Sequence, residues 1–217
     1  MTADLFESAV DVLPSREAMA EGALLLRGFA RPVEVGVLAA LHAIEAEAPF
    51  RRMFTPGGHQ MSVAMTNCGE MGWVTDRRGY RYDGADPETA KPWPAMPALF
   101  RELAERAARE AGFSGFAPDA CLINRYEPGA RMSLHQDRDE KDFSSPIVSV
   151  SLGLPAIFLF GGMKRTDKPQ RYRLEHGDVV VWGGLSRLFF HGVAPLADGE
   201  HAVVGRKRIN LTFRRAR

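Results

Sequence analysis

Ile147-Val148-Ser149-Val150-Ser151-Leu152-Gly153-Leu154-Pro155-Ala156-Ile157-Phe158-Leu159-Phe160 decides the fold class. Two strand-like runs, Ile147 to Leu152 and Ala156 to Phe160, are split by the turn residues Gly153-Leu154-Pro155. The pattern repeats outward in both directions. Downstream, Tyr172-Arg173-Leu174-Glu175 leads into the tight turn His176-Gly177-Asp178. Val179-Val180-Val181-Trp182, Leu188-Phe189-Phe190-His191 and Arg208-Ile209-Asn210-Leu211-Thr212-Phe213-Arg214 follow. Upstream, Ala120 to Tyr126 and Ser133 to Asp137 flank the turn Glu127-Pro128-Gly129-Ala130. From about Ala117 onward, short strands and Gly/Pro turns with no intervening helix predict a double-sheet jelly roll or barrel.

Before Ala117 the chain predicts support elements. Ala23 to Phe29 reads as a short strand. Val35, Leu38, Leu41, Ile44 and Ala48 recur at helical spacing between Pro32 and Pro49. A second helix is predicted from Ala98 to Ala111, with Leu99, Leu103, Ala107 and Ala111 on one stripe and Gly112 at its C-terminal cap. The fold class is therefore mainly β with flanking helices (α+β). Residues 1–217 form one domain: support at 1–49, an irregular segment at 50–95 and a jelly-roll core at 115–217.

Bulk properties exclude little beyond a membrane span. The chain has 217 residues, with 28 Lys and Arg against 27 Asp and Glu, a formal net charge of +1. No apolar run approaches the ~20 residues of a membrane helix. Met1-Thr2-Ala3-Asp4-Leu5-Phe6-Glu7 is acidic and lacks the marks of a signal peptide. The two cysteines, Cys68 and Cys121, do not read as a disulfide framework. A monomer in the reducing cytoplasm is expected, and any nucleic-acid binding would have to use a local basic patch.

Ser133-Leu134-His135-Gln136-Asp137 reads as half of a metal site. On a strand, His135 and Asp137 point to one face. An imidazole beside a carboxylate suits a divalent transition metal, and His191, closing the run 188–191, is the preferred third ligand, with His176 its rival. Two His and one carboxylate form the facial triad of non-haem Fe(II) oxygenases. His42, His176 and His201 otherwise read as surface residues.

The last strand supplies a second signal. Ile209, Leu211 and Phe213 face one way; Arg208, Asn210, Thr212 and Arg214 face the other. Such a polar face ordinarily meets water. Downstream of a metal triad it suits a small dicarboxylate: Cα atoms six residues apart are roughly 20 Å apart, and inward-leaning guanidinium forks would end about 7 Å apart. Asn210 could add an amide hydrogen bond. The residues thus suggest an Fe(II) site with a 2-oxo dicarboxylate co-substrate and a place for O2.

Residues 50–95 mix glycine, methionine, aromatics and arginine without a period. Met61 to Met65 alternates like a short strand, and Tyr80 and Tyr82 share a face opposite Arg81. Read from residues alone, the preferred reading is a glycine-rich flap whose aromatics pack on the core. The alternative is a nucleic-acid surface of guanidinium groups and stacking rings.

The order H-x-D, a distant His, then R-x-N-L-T-F-R resembles the AlkB family of Fe(II)/2-oxoglutarate-dependent dioxygenases, and its bacterial DNA-repair demethylases in particular. The resemblance extends over Thr55-Pro56-Gly57-Gly58, Met61 to Gly69, Asn124-Arg125-Tyr126, Ser133 to Asp137 and Gly177 to Gly184. It implies a double-stranded β-helix core with Fe(II) on His135, Asp137 and His191 as the catalytic centre. It implies 2-oxoglutarate contacts from Asn124, Tyr126, Arg208, Asn210 and Arg214, with O2 as the other co-substrate. It turns 50–95 into a nucleotide-recognition lid. Trp73 and His135 would sandwich a flipped methylated base, Tyr80 and Tyr82 would contact phosphate or sugar, Asp139 would accept from the base edge, and Arg165 would contact base or strand. Thr55, Met65 and Ser133 complete the implied substrate surface. The implied reaction is demethylation of 1-methyladenine and 3-methylcytosine in single-stranded DNA, with double-stranded DNA and RNA left open. Extrusion of a base costs least in single strands. A basic rim of Arg51, Arg52, Arg77, Arg78, Arg81, Arg131, Arg138, Lys164 and Arg165 is expected with it.

Three departures stand out. His59 occupies the place of a lid tyrosine, Arg138 replaces a lysine, and Glu200 to Lys207 shows little resemblance. Two competing readings are an oxygenase acting on RNA, protein or a small molecule, and a non-catalytic jelly-roll module that binds metal or ligand.

Overall fold

The computed structural model describes residues 15–217; the acidic stretch Met1 to Glu7 lies outside them. A seven-stranded antiparallel sheet carries β1 (Arg16–Ala20), β2 (Ala23–Leu26), β3 (Ala64–Gly69), β6 (Ala120–Tyr126), β8 (Ile147–Gly153), β11 (Val179–Trp182) and β13 (Arg208–Arg214) in the order β1-β2-β11-β8-β13-β6-β3. A four-stranded sheet carries β7 (Met132–His135), β9 (Ala156–Phe160), β10 (Gln170–Leu174) and β12 (His191–Val193) in the order β10-β9-β12-β7. β4 (Gly72–Asp76) and β5 (Gly79–Asp83) form a hairpin of their own. Two α-helices, α1 (Glu34–Glu47) and α2 (Ala98–Glu110), are found among the described residues. The expected mainly β fold with flanking helices is what is found.

Strand alternation sorts the large sheet into two faces. Cys121, Ile123, Val148, Val150, Leu152, Val179, Val181, Ile209, Leu211 and Phe213 pack with Val37, Leu41, Ile44, Phe100, Leu103 and Ala107 of the helices. Leu122, Tyr126, Val180 and Trp182 of the opposite face pack with Phe158, Phe160, Tyr172 and Val193 of the small sheet. The core between the sheets is incomplete at one end. There β13 presents Arg208, Asn210, Thr212 and Arg214, every one of them buried.

The stretch 147–160 switches sheets at its turn. β8 pairs with β11 and β13 in the large sheet, whereas β9 pairs with β10 and β12 in the small one. Gly153 makes the corner at φ 86°. A Cβ there would sit 2.4 Å from the Lys207 carbonyl oxygen, so only glycine fits.

Local expectations shift in four places. The α1 stripe is Val37, Leu41 and Ile44, while Val35 is 79% exposed; steps of three drift round a helix, and the four-then-three spacing holds one face. On α2, Phe100, Ala104 and Ala108 join Leu103 and Ala107 in the core. Met61 to Val63 is irregular and β3 starts at Ala64, which makes part of 50–95 an edge strand of the large sheet. Leu188 to Phe190 is not a strand, and His191 opens β12 rather than closing a run.

Candidate active site

β7 and β12 are neighbours, and His135 and His191 are directly opposed across them, ring centroids 4.4 Å apart. Asp137 lies two residues past the end of β7 and folds back beneath both rings. Its Oδ1 is 3.5 Å from His135 Nε2 and its Oδ2 is 3.6 Å from His191 Nε2. One donor atom from each of the three residues falls within 4.8 Å of the others. The carbonyls of Ser133 and Phe189 take the Nδ1 positions at 2.8 and 3.0 Å. Each Nδ1 therefore donates to its carbonyl, which leaves each Nε2 turned toward the carboxylate. Gly192 permits the pairing, because a Cβ there would meet the Met132 carbonyl oxygen at 2.7 Å.

The electrostatics suit a cation. Burial alone would raise the Asp137 pKa, but Arg214 and His191 hold it well below the ordinary carboxylate range. Burial and the neighbouring His135 push the His191 pKa down. Burial is the largest influence on His135 and opposes its protonation, but the hydrogen bond and charge of Asp137, with the Ser133 carbonyl, together raise the pKa. A proton there competes for the place of a metal. A carboxylate and two imidazoles on one side fit a divalent iron-type ion with open positions. His176 does not compete for it. Its Nδ1 accepts the Gly153 N–H at 2.9 Å, its Nε2 meets Glu34 Oε2 at 2.7 Å, and its ring stacks on His201. It is buried rather than at the surface, because its turn tucks against α1.

The three residues open into a cavity of about 940 Å³ between the sheets. Asn124, Tyr126, Arg208, Asn210 and Arg214 all line it. The two arginines are not equivalent. Arg208 lies over the Tyr126 ring at 5.1 Å and donates only to Ser151 Oγ, at 2.9 Å. Its Nε and Nη1 have no partner among the described residues. Arg214 donates through Nε and Nη2 to Asp137 Oδ2 at 3.1 and 2.6 Å, leaving only Nη1 without a partner. The Asn210 amide is engaged: it donates to Ser149 Oγ and the Val150 carbonyl, and its Oδ1 accepts from Thr212. Hence Asn210 braces the strand face rather than offering the free amide donor expected of it. Asn124 Oδ1, an acceptor, also has no partner among the described residues. The unpaired nitrogens of Arg208 and Arg214 are buried donors without acceptors, which is costly, and they match an anionic co-substrate carrying several oxygens.

Beneath Asp137 runs an ionic cluster that sequence reading missed. Glu140 Oε1 accepts the Tyr82 hydroxyl at 2.7 Å and lies 3.3 Å from Arg214 Nε. Its Oε2 is 3.2 Å from Arg187 Nη2 as an ion pair without hydrogen-bond alignment. Arg187 also donates to the Asp137 carbonyl at 2.8 Å. Glu140 sits in a charged loop, 138–142, that reads as solvated, and no sequence signal separates it from its exposed neighbours. Ser149 and Ser151 were also missed, although polar residues at i and i+2 within an apolar strand mark a polar face.

The β4–β5 hairpin lies at the cavity rim. Trp73 and Tyr80 stack at 5.7 Å with 19° between their planes, and both line the cavity with Thr55, Met65, Ser133, Asp139 and Arg165. Trp73 Nε1 donates to Asp139 Oδ2 at 2.8 Å, and Arg165 donates to the Leu134 carbonyl at 2.7 Å. Asn67, also missed, clamps the Trp73 backbone with two hydrogen bonds of 3.0 Å. Tyr82 departs from expectation. It is absent from the rim and turns its hydroxyl inward, where burial pushes its pKa well up. Arg81 pairs with Asp76 on the other side of the hairpin. The basic rim is also smaller than expected. Arg51 is spent on Asp86, Arg52 on Glu127 and Arg78 on Asp76, while Arg131, Arg138 and Arg165 line the cavity.

Comparison with known proteins agrees with this geometry. Residues 22–214 match the 2OG-Fe(II) oxygenase superfamily. The chain is 58% identical over 213 residues to the alpha-ketoglutarate-dependent dioxygenase AlkB of Escherichia coli K12, covering 98% of this chain and 97% of that one. It is 31% identical to the DNA N(6)-methyladenine demethylase ALKBH1D of Arabidopsis thaliana, across 94% of this chain and 52% of the relative. The solved structure of OsALKBH1 superposes with a TM-score of 0.82 at 28% identity, covering 93% of this chain and all of that one. Alpha-ketoglutarate is 2-oxoglutarate, so Fe(II), 2-oxoglutarate and O2 are the cofactor and co-substrates of this enzyme. The chain belongs to the 2OG-Fe(II) oxygenase superfamily and, within it, to the AlkB dioxygenases.

Proposed function

We propose that the enzyme oxidatively demethylates N-alkylated bases, 1-methyladenine and 3-methylcytosine, chiefly in single-stranded DNA, and so reverses alkylation damage directly. The observation that carries this reading is the Trp73–Tyr80 aromatic stack on the rim of the same cavity that contains His135, Asp137 and His191. An aromatic platform beside a metal site suits an extruded base, which needs a π-face to stack on and a polar group at its edge.

In this reading His135, Asp137 and His191 hold Fe(II). Arg208, Arg214, Asn124 and Tyr126 hold 2-oxoglutarate, with Asn210 bracing Ser149 beneath it. Bound there, the iron and co-substrate supply with O2 the oxidising chemistry that hydroxylates the N-methyl carbon and yields succinate and CO2. The hydroxymethyl group then leaves as formaldehyde. Trp73 and His135 sandwich the base, and Asp139 accepts from its edge through Oδ1 while Oδ2 holds Trp73. Tyr80, Thr55, Ser133 and Arg165 line the strand's path, and Met65 closes the pocket floor. Arg131 and Arg138 offer charge to phosphates. His59 is exposed on the rim.

We also read the protein as a cytoplasmic monomer. Cys68 and Cys121 oppose each other across β3 and β6 as free thiols, which suits a reducing compartment. No helix among the described residues is long and apolar enough to cross a membrane.

The test is release of formaldehyde and succinate from a single-stranded oligonucleotide carrying one 1-methyladenine, with an unmethylated control. Equimolar products with loss of the methyl group are expected. Succinate without formaldehyde would move the search to RNA, protein or small-molecule substrates.

A further inference from the structure

Trp73 and Tyr82 are directly opposed in the hairpin, and their polar tips reach consecutive residues of the loop that follows the metal-binding strand. Trp73 binds Asp139 and Tyr82 binds Glu140, only two and three residues past Asp137. The second contact has a consequence the first lacks. Arg214 stands between two carboxylates. It grips Asp137 Oδ2 at 2.6 Å and lies 3.3 Å from Glu140 Oε1, the same oxygen that accepts the Tyr82 hydroxyl. While Tyr82 donates, part of the charge on Oε1 is satisfied and Arg214 leans to Asp137. If the hairpin lifts, Oε1 loses that donor inside a nearly solvent-free pocket, where an unmet charge acts strongly. Arg214 is the cation nearest that atom, at 3.3 Å, and is drawn toward it, loosening its hold on Asp137.

We propose that Tyr82 is a positioning residue that couples seating of the β4–β5 hairpin to the orientation of the Asp137 carboxylate through Glu140 and Arg214. The enzyme is thereby fully assembled only when the hairpin is down. The inference rests on the demethylase reading, because it takes the hairpin as the element that closes on the base. Coupling is reciprocal, so ligands that order Asp137 and Arg214 must in turn hold the hairpin down.

Hydrogen exchange of residues 72–83 in the full-length protein, with and without Mn(II) plus 2-oxoglutarate, tests this directly. In the wild type these ligands should slow exchange by at least about fivefold, the lower end of ordinary coupling. In Tyr82→Phe the slowing should vanish. In Glu140→Gln, which keeps an acceptor for Tyr82 but removes the charge that pulls Arg214, hairpin protection should persist and the response to ligands should fall. Equal slowing in wild type and Tyr82→Phe, or none in the wild type, overturns the proposal. On the methylated oligonucleotide, Tyr82→Phe should release more succinate per formaldehyde than the wild type; an unchanged ratio counts against the coupling. A wild type that releases no formaldehyde sinks the demethylase reading instead, and the exchange experiment still decides the coupling.

Discussion

The β7–β12 pair and the β4–β5 hairpin are both short antiparallel ladders, yet they are held in opposite ways. β12 is flanked on both sides, by β7 and β9, and its His191 packs against Phe158 and Trp182 of the inter-sheet core. The hairpin is a two-stranded sheet with no further strand beside it among the described residues. An isolated hairpin is marginal in water. This one is pinned by buried Val74, by Asn67 on the Trp73 backbone, and by single bonds from Trp73 and Tyr82 to Asp139 and Glu140. The difference separates two tasks. Ligands to a metal must be fixed before anything binds, whereas a surface that admits and releases a substrate belongs to the less stable part of a fold.

Substitutions on the two sides should divide accordingly. Asp137→Ala removes the carboxylate common to the metal site and to Arg214, and should reduce succinate release to background with loss of bound iron. Substantial turnover in that variant would end the comparison, since the rigid pair would not be the metal site. Arg208→Lys should raise the KM for 2-oxoglutarate roughly 30-fold or more, because disturbing a buried charge contact costs about 2–5 kcal/mol. Titration of 2-oxoglutarate at saturating iron checks it, and an unchanged KM would transfer the co-substrate role to Arg214 alone.

Effects on the hairpin side should be smaller and confined to nucleic acid. Trp73→Ala should weaken binding of a methylated oligonucleotide by about 1–3 kcal/mol, the value of one base–aromatic stack. Trp73→Phe should recover most of it in the same anisotropy titration; equal affinity in all three proteins would remove Trp73 as the stacking ring. Arg131→Ala should be mildest, lowering affinity alike for methylated and unmethylated strands. It should also reduce the slope of log affinity against log salt by about 1. A slope that stays put would show that phosphates do not pass Arg131.

How far each region could be read from the chain follows the same division. Arg208 and Arg214 stand in a short motif whose period-two spacing sets the face they share, and His135 and Asp137 stand in a tripeptide whose residue types name metal ligands. Tyr82 fails that logic. It shares a strand face with Tyr80 by period, but the Tyr80 ring stacks on Trp73 at the rim while the Tyr82 hydroxyl turns inward to Glu140. The basic rim failed for a related reason. Arg51, Arg52 and Arg78 found acidic partners that are distant or unremarkable in sequence, namely Asp86, Glu127 and Asp76.

The amino-acid sequence alone determined the strand-rich fold class, the polar face of the last strand, and the residue types at the metal and co-substrate positions, because these depend on local periodicity and on motif chemistry. Only the tertiary structure decided that Asp137 reaches both histidines from beyond its strand, that Arg214 is shared between Asp137 and Glu140, and that His176 is occupied by Glu34 and Gly153. Those outcomes depend on which charges meet across loops tens of residues apart. In a buried pocket each such meeting is settled by the cost of leaving any one charge without a partner.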